Sequence, residues 1–146
     1  MSTVKTLTGL SVDTLIQVKV RAHNSDGWAE FSEINTSGAT IETTPSAMST
    51  PSFDETTTTN TAIDLTWSQL SGSDKGGSSV TITGYKIYWN SGSGVVFTYL
   101  DAVSGASTLN YLKSGLTSGS TYAFTVLAVN KYGDGVQSSS VSIMTG

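Results

Sequence analysis

An all-β antiparallel sandwich is the fold class this sequence predicts, and three observations predict it. Thr, Val, Ile and Tyr recur along the chain, and their branched or aromatic side chains pack well on a pleated surface. Ser and Thr alone make up roughly a third of the residues, well above ordinary usage. No long stretch sets apolar residues at i, i+3, i+4 and i+7, so a helical face is missing. Short runs of period-two alternation are instead separated by Gly, Asn, Asp and Ser turns.

One segment is written twice. Gly9 to Asn24 lies over Gly115 to Asn130 without a gap, and the register continues to Gly27 over Gly133 and Ser32 over Ser138. Recurrence of a strand-like unit at the spacing of a small sandwich domain points to tandem modules. The first copy begins eight residues after Met1, so the sequence predicts one whole module preceded by the C-terminal half of another.

Taken in order, 3–10 and 14–23 read as strands. In the second, Ile16, Val18, Val20 and Ala22 alternate with Gln17, Lys19 and Arg21, one face dry and one wet. Asn24-Ser25-Asp26-Gly27 is a turn, and a third strand follows over 31–43. Pro45 and Pro51, the only prolines in the chain, bracket a small-residue stretch read as a linker. Beyond it come a strand over 52–59, then Ile63, Leu65 and Trp67 alternating with Asp64 and Thr66. Ser71 to Ser79 reads as a flexible polar loop. Tyr85, Ile87 and Trp89 alternate with Lys86 and Tyr88. Asn90-Ser91-Gly92-Ser93-Gly94 turns into a strand over Val95–Leu100. A short strand over 108–112 precedes one on which Tyr122, Phe124, Val126 and Ala128 face the core. Asn130 to Gly135 turns into a final strand over 136–144. These are the seven short strands of a sandwich.

Composition excludes several classes of function. The chain of 146 residues has a net charge of −4, and its seven Lys and Arg are scattered, so no basic patch exists to neutralise phosphates and nucleic acid is not expected as a partner. No apolar run approaches the roughly 20 residues of a membrane helix, and no membrane insertion is expected. The N-terminus lacks a signal-peptide pattern, so any export signal is expected to lie outside this chain. Cysteine is absent, which removes disulfides and thiolate metal sites and leaves the fold to its core.

Four features resemble the fibronectin type III domain when read together. They are Trp67 ending the second strand of the complete module, Gly84-Tyr85-Lys86-Ile87-Tyr88-Trp89, Gly115-Leu116-Thr117-Ser118-Gly119-Ser120-Thr121-Tyr122, and Asn130-Lys131-Tyr132-Gly133-Asp134-Gly135. The resemblance covers 51–146 and implies an immunoglobulin-like antiparallel sandwich of seven strands. It also implies a structural tyrosine corner through Tyr122. In the first copy Ile16 stands at that position and cannot make the hydroxyl bond. The organisation expected is a half module over 1–45, a linker over 46–51 and a complete module over 52–146. The family implies binding, spacing or structural roles and no chemistry of its own.

No catalytic, cofactor or metal residue is expected. His23 is the lone histidine, at a strand end with no placed nucleophile or orienting acid, and reads as a turn residue. Asp13, Asp26, Asp54, Glu55 and Asp134 lack the regular oxygen spacing of a calcium loop and read as solvated charges. Ser71–Ser79 lacks the strand and helix context of a phosphate loop. Asn35-Thr36-Ser37 makes Asn35 a candidate glycosylation acceptor. Trp28, Tyr88, Phe97 and Tyr99 are candidate outward aromatics. Tyr88, Leu127 and Val129 are expected to form an outward apolar strip for contact with a neighbouring module or chain.

Three strands cannot bury a sandwich face, so Ile16, Val18 and Val20 are expected to contact strands supplied by another chain or segment. The function expected is a non-enzymatic structural or adhesive repeat module of an extracellular or cell-surface array or filament. Its partners would be proteins, namely a neighbouring module or an identical chain in a homo-oligomer. The alternatives are a spacer module of a secreted carbohydrate-active enzyme and a scaffold module in an intracellular cytoskeletal assembly. The loops at 71–79, 90–94 and 130–135 are the candidates for ligand contact.

Overall fold

A computed structural model describes residues 6–146, and the chain falls into two compact units, Met1–Glu42 and Thr43–Gly146. The first unit carries four very short strands: β1 (Leu15–Ile16), β2 (His23–Asn24), β3 (Gly27–Trp28) and β4 (Ala39–Thr40). β1 pairs antiparallel with β4, and β2 with β3, so 14–41 is one long, interrupted hairpin. The expected strand over 3–10 lies partly outside the described residues, and 6–10 form no strand.

The expected strands over 14–23 and 31–43 are mostly irregular, for a physical reason. The Val18 amide donates to the side-chain Oδ1 of Asn35 and the Val20 amide to Oγ of Ser32, at 3.1 Å in the second case. Side-chain oxygens have displaced the carbonyls of a regular ladder. The return bonds, from Asn35 N–H to Val18 O and from Ser32 N–H to Val20 O, remain backbone to backbone at 3.3 and 2.8 Å.

The second unit is a two-sheet sandwich. One sheet has the order β5 (Ser52–Phe53), β6 (Ala62–Thr66), β9 (Asn110–Ser114). The other has the order β11 (Gly133–Asp134), β10 (Thr121–Asn130), β7 (Ile82–Trp89), β8 (Thr98–Ser104), with β12 (Val141–Met144) also on β10. All pairings are antiparallel. The inward alternation holds where it was expected. Ile63 and Leu65 from β6 meet Tyr85 and Ile87 from β7, and Phe124, Val126 and Ala128 from β10, all with 1% exposure or less. Each such side chain contributes on the order of 1.5–3 kcal/mol by leaving water, with Ala128 below that range.

Three expectations need correction. Val95 and Val96 stand in solvent, 89% and 72% exposed, and β8 begins only at Thr98. The Asn90 side chain explains this. Its Oδ1 accepts from Gly92 N–H (3.1 Å) and Ala123 N–H (2.9 Å), and its Nδ2 donates to Gly94 O (3.2 Å), so the loop is tied back to β10 before pairing starts. The final strand, expected over 136–144, is regular only as β12, since ahead of it Val126 N–H bonds Ser138 Oγ (3.0 Å) in place of a backbone carbonyl. The stretch over 71–79 is no flexible loop. It holds a 3-10 helix, Gly72–Lys75, closed at Gly76 with a left-handed φ of 95°. Near the chain's Pro45 and Pro51, Met48 enters the core at 4% exposure.

Candidate functional site

The two hairpins share hydrogen bonds as well as sequence. Asn24 pairs with Gly27 in the first unit and Asn130 with Gly133 in the second. In both, the Asn Oδ1 accepts the amide two residues on, Asp26 at 2.9 Å and Tyr132 at 2.8 Å. Gly27 and Gly133 have φ of 128° and 126°, a region open to glycine. Ser32 holds Val20 as Ser138 holds Val126, through the serine N–H and Oγ alike.

Burial separates them. Tyr122, Phe124 and Val126 are 7%, 0% and 0% exposed. Their counterparts in register are Ile16, which is half-buried, and Val18 and Val20, which are 54% and 67% exposed. The first hairpin therefore presents an apolar face that nothing among the described residues of its own unit covers. Leu15 and Ile34 add further exposed apolar surface.

In the second unit the hairpin tip is occupied. Asn130 is 4% exposed, and its Nδ2 donates to Thr43 O (2.7 Å) and Lys75 O (2.8 Å). Thr43 N–H donates to Gly76 O and Ser46 N–H to Asp74 O. The lead-in segment, the 3-10 helix and the 130–135 turn are thus one knot, which joins two of the three expected contact loops. At the 90–94 loop, Trp89 stacks on Tyr122 with centroids 6.0 Å apart, and Lys113 Nζ lies 4.9 Å from the Trp89 ring. Thr117 N–H donates to Tyr122 Oη at 3.0 Å, which lowers the phenol pKa.

The expected apolar strip is only partly open. Tyr88 is half-buried and packs edge-on against Tyr99 at 5.8 Å, and Val129 is half-buried. Leu127, expected to be exposed, is 4% exposed. Lys86 on β7 bonds Asp134 on β11 at 2.7 Å, crossing the outer side of β10. The Lys86 stem lies opposite Leu127 in register and shields it. Both charges remain part-exposed, so the pair itself contributes little.

Sequence reasoning missed a stack on the first hairpin. The Arg21 guanidinium lies 4.4 Å from the Trp28 ring centroid and 4.7 Å from that of Phe31. The His23 ring is tilted against Trp28 at 4.5 Å. The signal was present, since Arg21 and His23 alternate on one face and face Trp28 once the turn is closed. A hollow of about 280 Å³ opens beside this stack, lined by Ala22, His23, Asn24, Asp26, Gly27, Trp28 and Ala29. Asn35 uses its Nδ2 to bond Ser37 O at 2.9 Å. Among the described residues, no group of three or more His, Cys, Asp or Glu is placed to hold a metal ion, and no helix is long and apolar enough to cross a membrane.

Two antiparallel sheets closed over one core make the second unit an immunoglobulin-like sandwich. The family model of the fibronectin type III domain matches residues 46–145, and the chain belongs to that family. No curated protein matches it. Among solved structures it is similar to titin domains A168-A170, with 20% identity and a TM-score of 0.61, covering 94% of this chain and 43% of that one. It is similar to chicken CNTN1 FN1-FN3 domains at 21% identity and a TM-score of 0.55, covering 94% of this chain and 44% of that one. It is also similar to the fibronectin type III domain of human fibronectin type III domain containing protein 3. That match has 27% identity and a TM-score of 0.55, and covers 76% of this chain and 92% of the other. The chain thus spans less than half the length of the titin and CNTN1 fragments.

Proposed function

We propose that this chain is a non-enzymatic structural or adhesive element of an extracellular or cell-surface array or filament. In this reading 1–45 is the C-terminal half of a fibronectin type III-like module, and strands from another chain or segment complete it. One observation carries the reading: Val20 repeats, bond for bond, the setting of Val126, and Val18 stands in register with Phe124, yet both valines stand in water. A hairpin with a bare apolar face is marginal by itself, and a sandwich face is the surface that fits it. Ile16 joins the same contact, and Tyr88 and Val129 form a second surface for a neighbouring module. The likeness to multi-domain fragments of titin and CNTN1 over 94% of the chain supports a serial arrangement. The Ser/Thr-rich, weakly charged composition supports a place outside the cell, where Asn35 would carry a glycan.

Amide hydrogen exchange tests the reading. In dilute monomer the amides of Val18 and Val20 should exchange freely while that of Val126 is protected. In assembled material all three should be protected. Equal protection in a lone monomer, or no protection of Val18 and Val20 on assembly, would overturn it.

A further inference from the structure

The first hairpin lacks a partner along one edge as well as a cover for its face. Successive residues of an antiparallel strand bond opposite flanks. On β10, Val126 and Ala128 bond Ser138 and Gly135 of the arm that follows. The residues alternating with them, Thr125 and Leu127, stand opposite Tyr88 and Lys86 of β7. In the first unit Val18, Val20 and Ala22 likewise bond Asn35, Ser32 and Ala29 of the arm that follows. Gln17, Lys19 and Arg21 turn to the other flank. They are exposed, and their backbone amides and carbonyls bond nothing among the described residues. The same flank, in register, is filled by β7 in one unit and empty in the other. In the second unit β7 also lays Tyr85 and Ile87 beside Ala128 and Val126, at 1% and 0% exposure, and Trp89 stacks on Phe124 at 6.3 Å.

We propose that the Gln17–Arg21 flank takes up one antiparallel strand from a partner, with apolar side chains on the face it shares with Val18 and Val20 and an acidic side chain opposite Arg21. The inference rests on the proposed completion of the half module and names the strand that adjoins it. Register with β10 sets the apolar pattern. An aliphatic residue faces Val20, as Ile87 faces Val126, and an aromatic one faces Ala22, as Tyr85 faces Ala128. Val18 offers no ring for a tryptophan to stack on, so the position matching Trp89 takes any apolar residue. The alternate position is where the partner departs from β7. Lys86 lies opposite Leu127, and the residue in register with Leu127 is Arg21. A lysine there would set like charges side by side, whereas Glu or Asp would pair. Backbone bonds along the flank supply the affinity, and the alternating side chains select the partner.

The probe is a synthetic peptide with the sequence of Thr81–Asn90 and Lys86→Glu, titrated into the monomeric full chain and followed by two-dimensional NMR and amide exchange. The β10 flank is already filled by the chain's own β7, which leaves the first hairpin for the peptide. The amides of Gln17, Lys19 and Arg21 should shift saturably and gain protection. The same peptide with Lys86 retained should bind at least about threefold more weakly. A peptide with Ile87→Asp in addition to Lys86→Glu should lose at least about tenfold. Only the peptides vary, so a folding defect of the protein cannot imitate these results. No protection at Gln17, Lys19 and Arg21, equal binding of the Glu and Lys peptides, or protection confined to the flank of β8 that faces away from β7 would overturn the proposal. Were assembly still to protect Val18 and Val20 in that event, the array reading would stand and only this partner strand would fall.

Discussion

Replacing Asn130 by Ala removes three hydrogen bonds at once: Nδ2 to Thr43 O and Lys75 O, and Tyr132 N–H to Oδ1. The residue is 4% exposed, so water does not readily replace the lost partners. At a net of about 1 kcal/mol per bond, the second unit should lose about 3 kcal/mol. With a urea slope of about 1–3 kcal/mol per molar, the unfolding midpoint should fall by about 1–3 M. Asn130→Asp sharpens the test. It retains the acceptor for Tyr132 but sets a carboxylate oxygen against two carbonyls. It should destabilise at least as much as Ala at neutral pH and recover in part on acidification, when the protonated acid donates to one of them. Urea titrations read by fluorescence of Trp67 and Trp89 measure both variants. A loss below about 1 kcal/mol for Ala, or an Asp variant as stable as the parent at neutral pH, would refute the knot as an energetic unit.

Gly92→Ala should destabilise by about 1–3 kcal/mol, seen as a lower melting temperature, because its Cβ would meet the Tyr122 ring at 2.8 Å on a backbone with φ of 83°. Val126→Ala should cost about 2 kcal/mol in denaturant titrations, whereas Val20→Ala, at the same place in the repeat, should change a lone chain by less than about 0.5 kcal/mol. Burial, then the hydrogen bond to Asp101, pushes the Tyr111 phenol up to about 12. The fold favours its neutral form, so this contribution is whole below the unfolded value of about 10 and disappears as pH rises through about 12. Ultraviolet titration of the phenolate should show one tyrosine ionising last, and Tyr111→Phe should remove that step.

The strands that are paired on both flanks were the legible ones. β10 could be read from Tyr122, Phe124, Val126 and Ala128, because β7 lies on its other flank and keeps the ladder regular. The same pattern at Ile16, Val18 and Val20 misled at the level of local structure. Asn35 and Ser32 capture amides there, as Ser138 does at Val126, but among the described residues no strand on the far side keeps the rest of the ladder regular. Val95 and Val96 have strand propensity, but propensity does not report that Asn90 spends its amide on the loop. Alternation puts Leu127 on the outer side of β10, opposite Lys86 in register. Its burial depends on a lysine stem reaching across from another strand, which no local pattern announces. The Arg21, Trp28 and Phe31 stack was written in the residues but needed the Asn24–Gly27 turn to bring it together.

Ser138 has a consequence for life at high local concentration. By taking the Val126 amide on its hydroxyl, it breaks the last strand into pieces of two and four residues along the margin of the sheet. A long, flat margin would offer a row of free amides and carbonyls on which a like chain could template itself, and aggregation would follow. Ser32 interrupts the first hairpin in the same way. A like chain brought alongside would thereby be kept from zipping onto that flank.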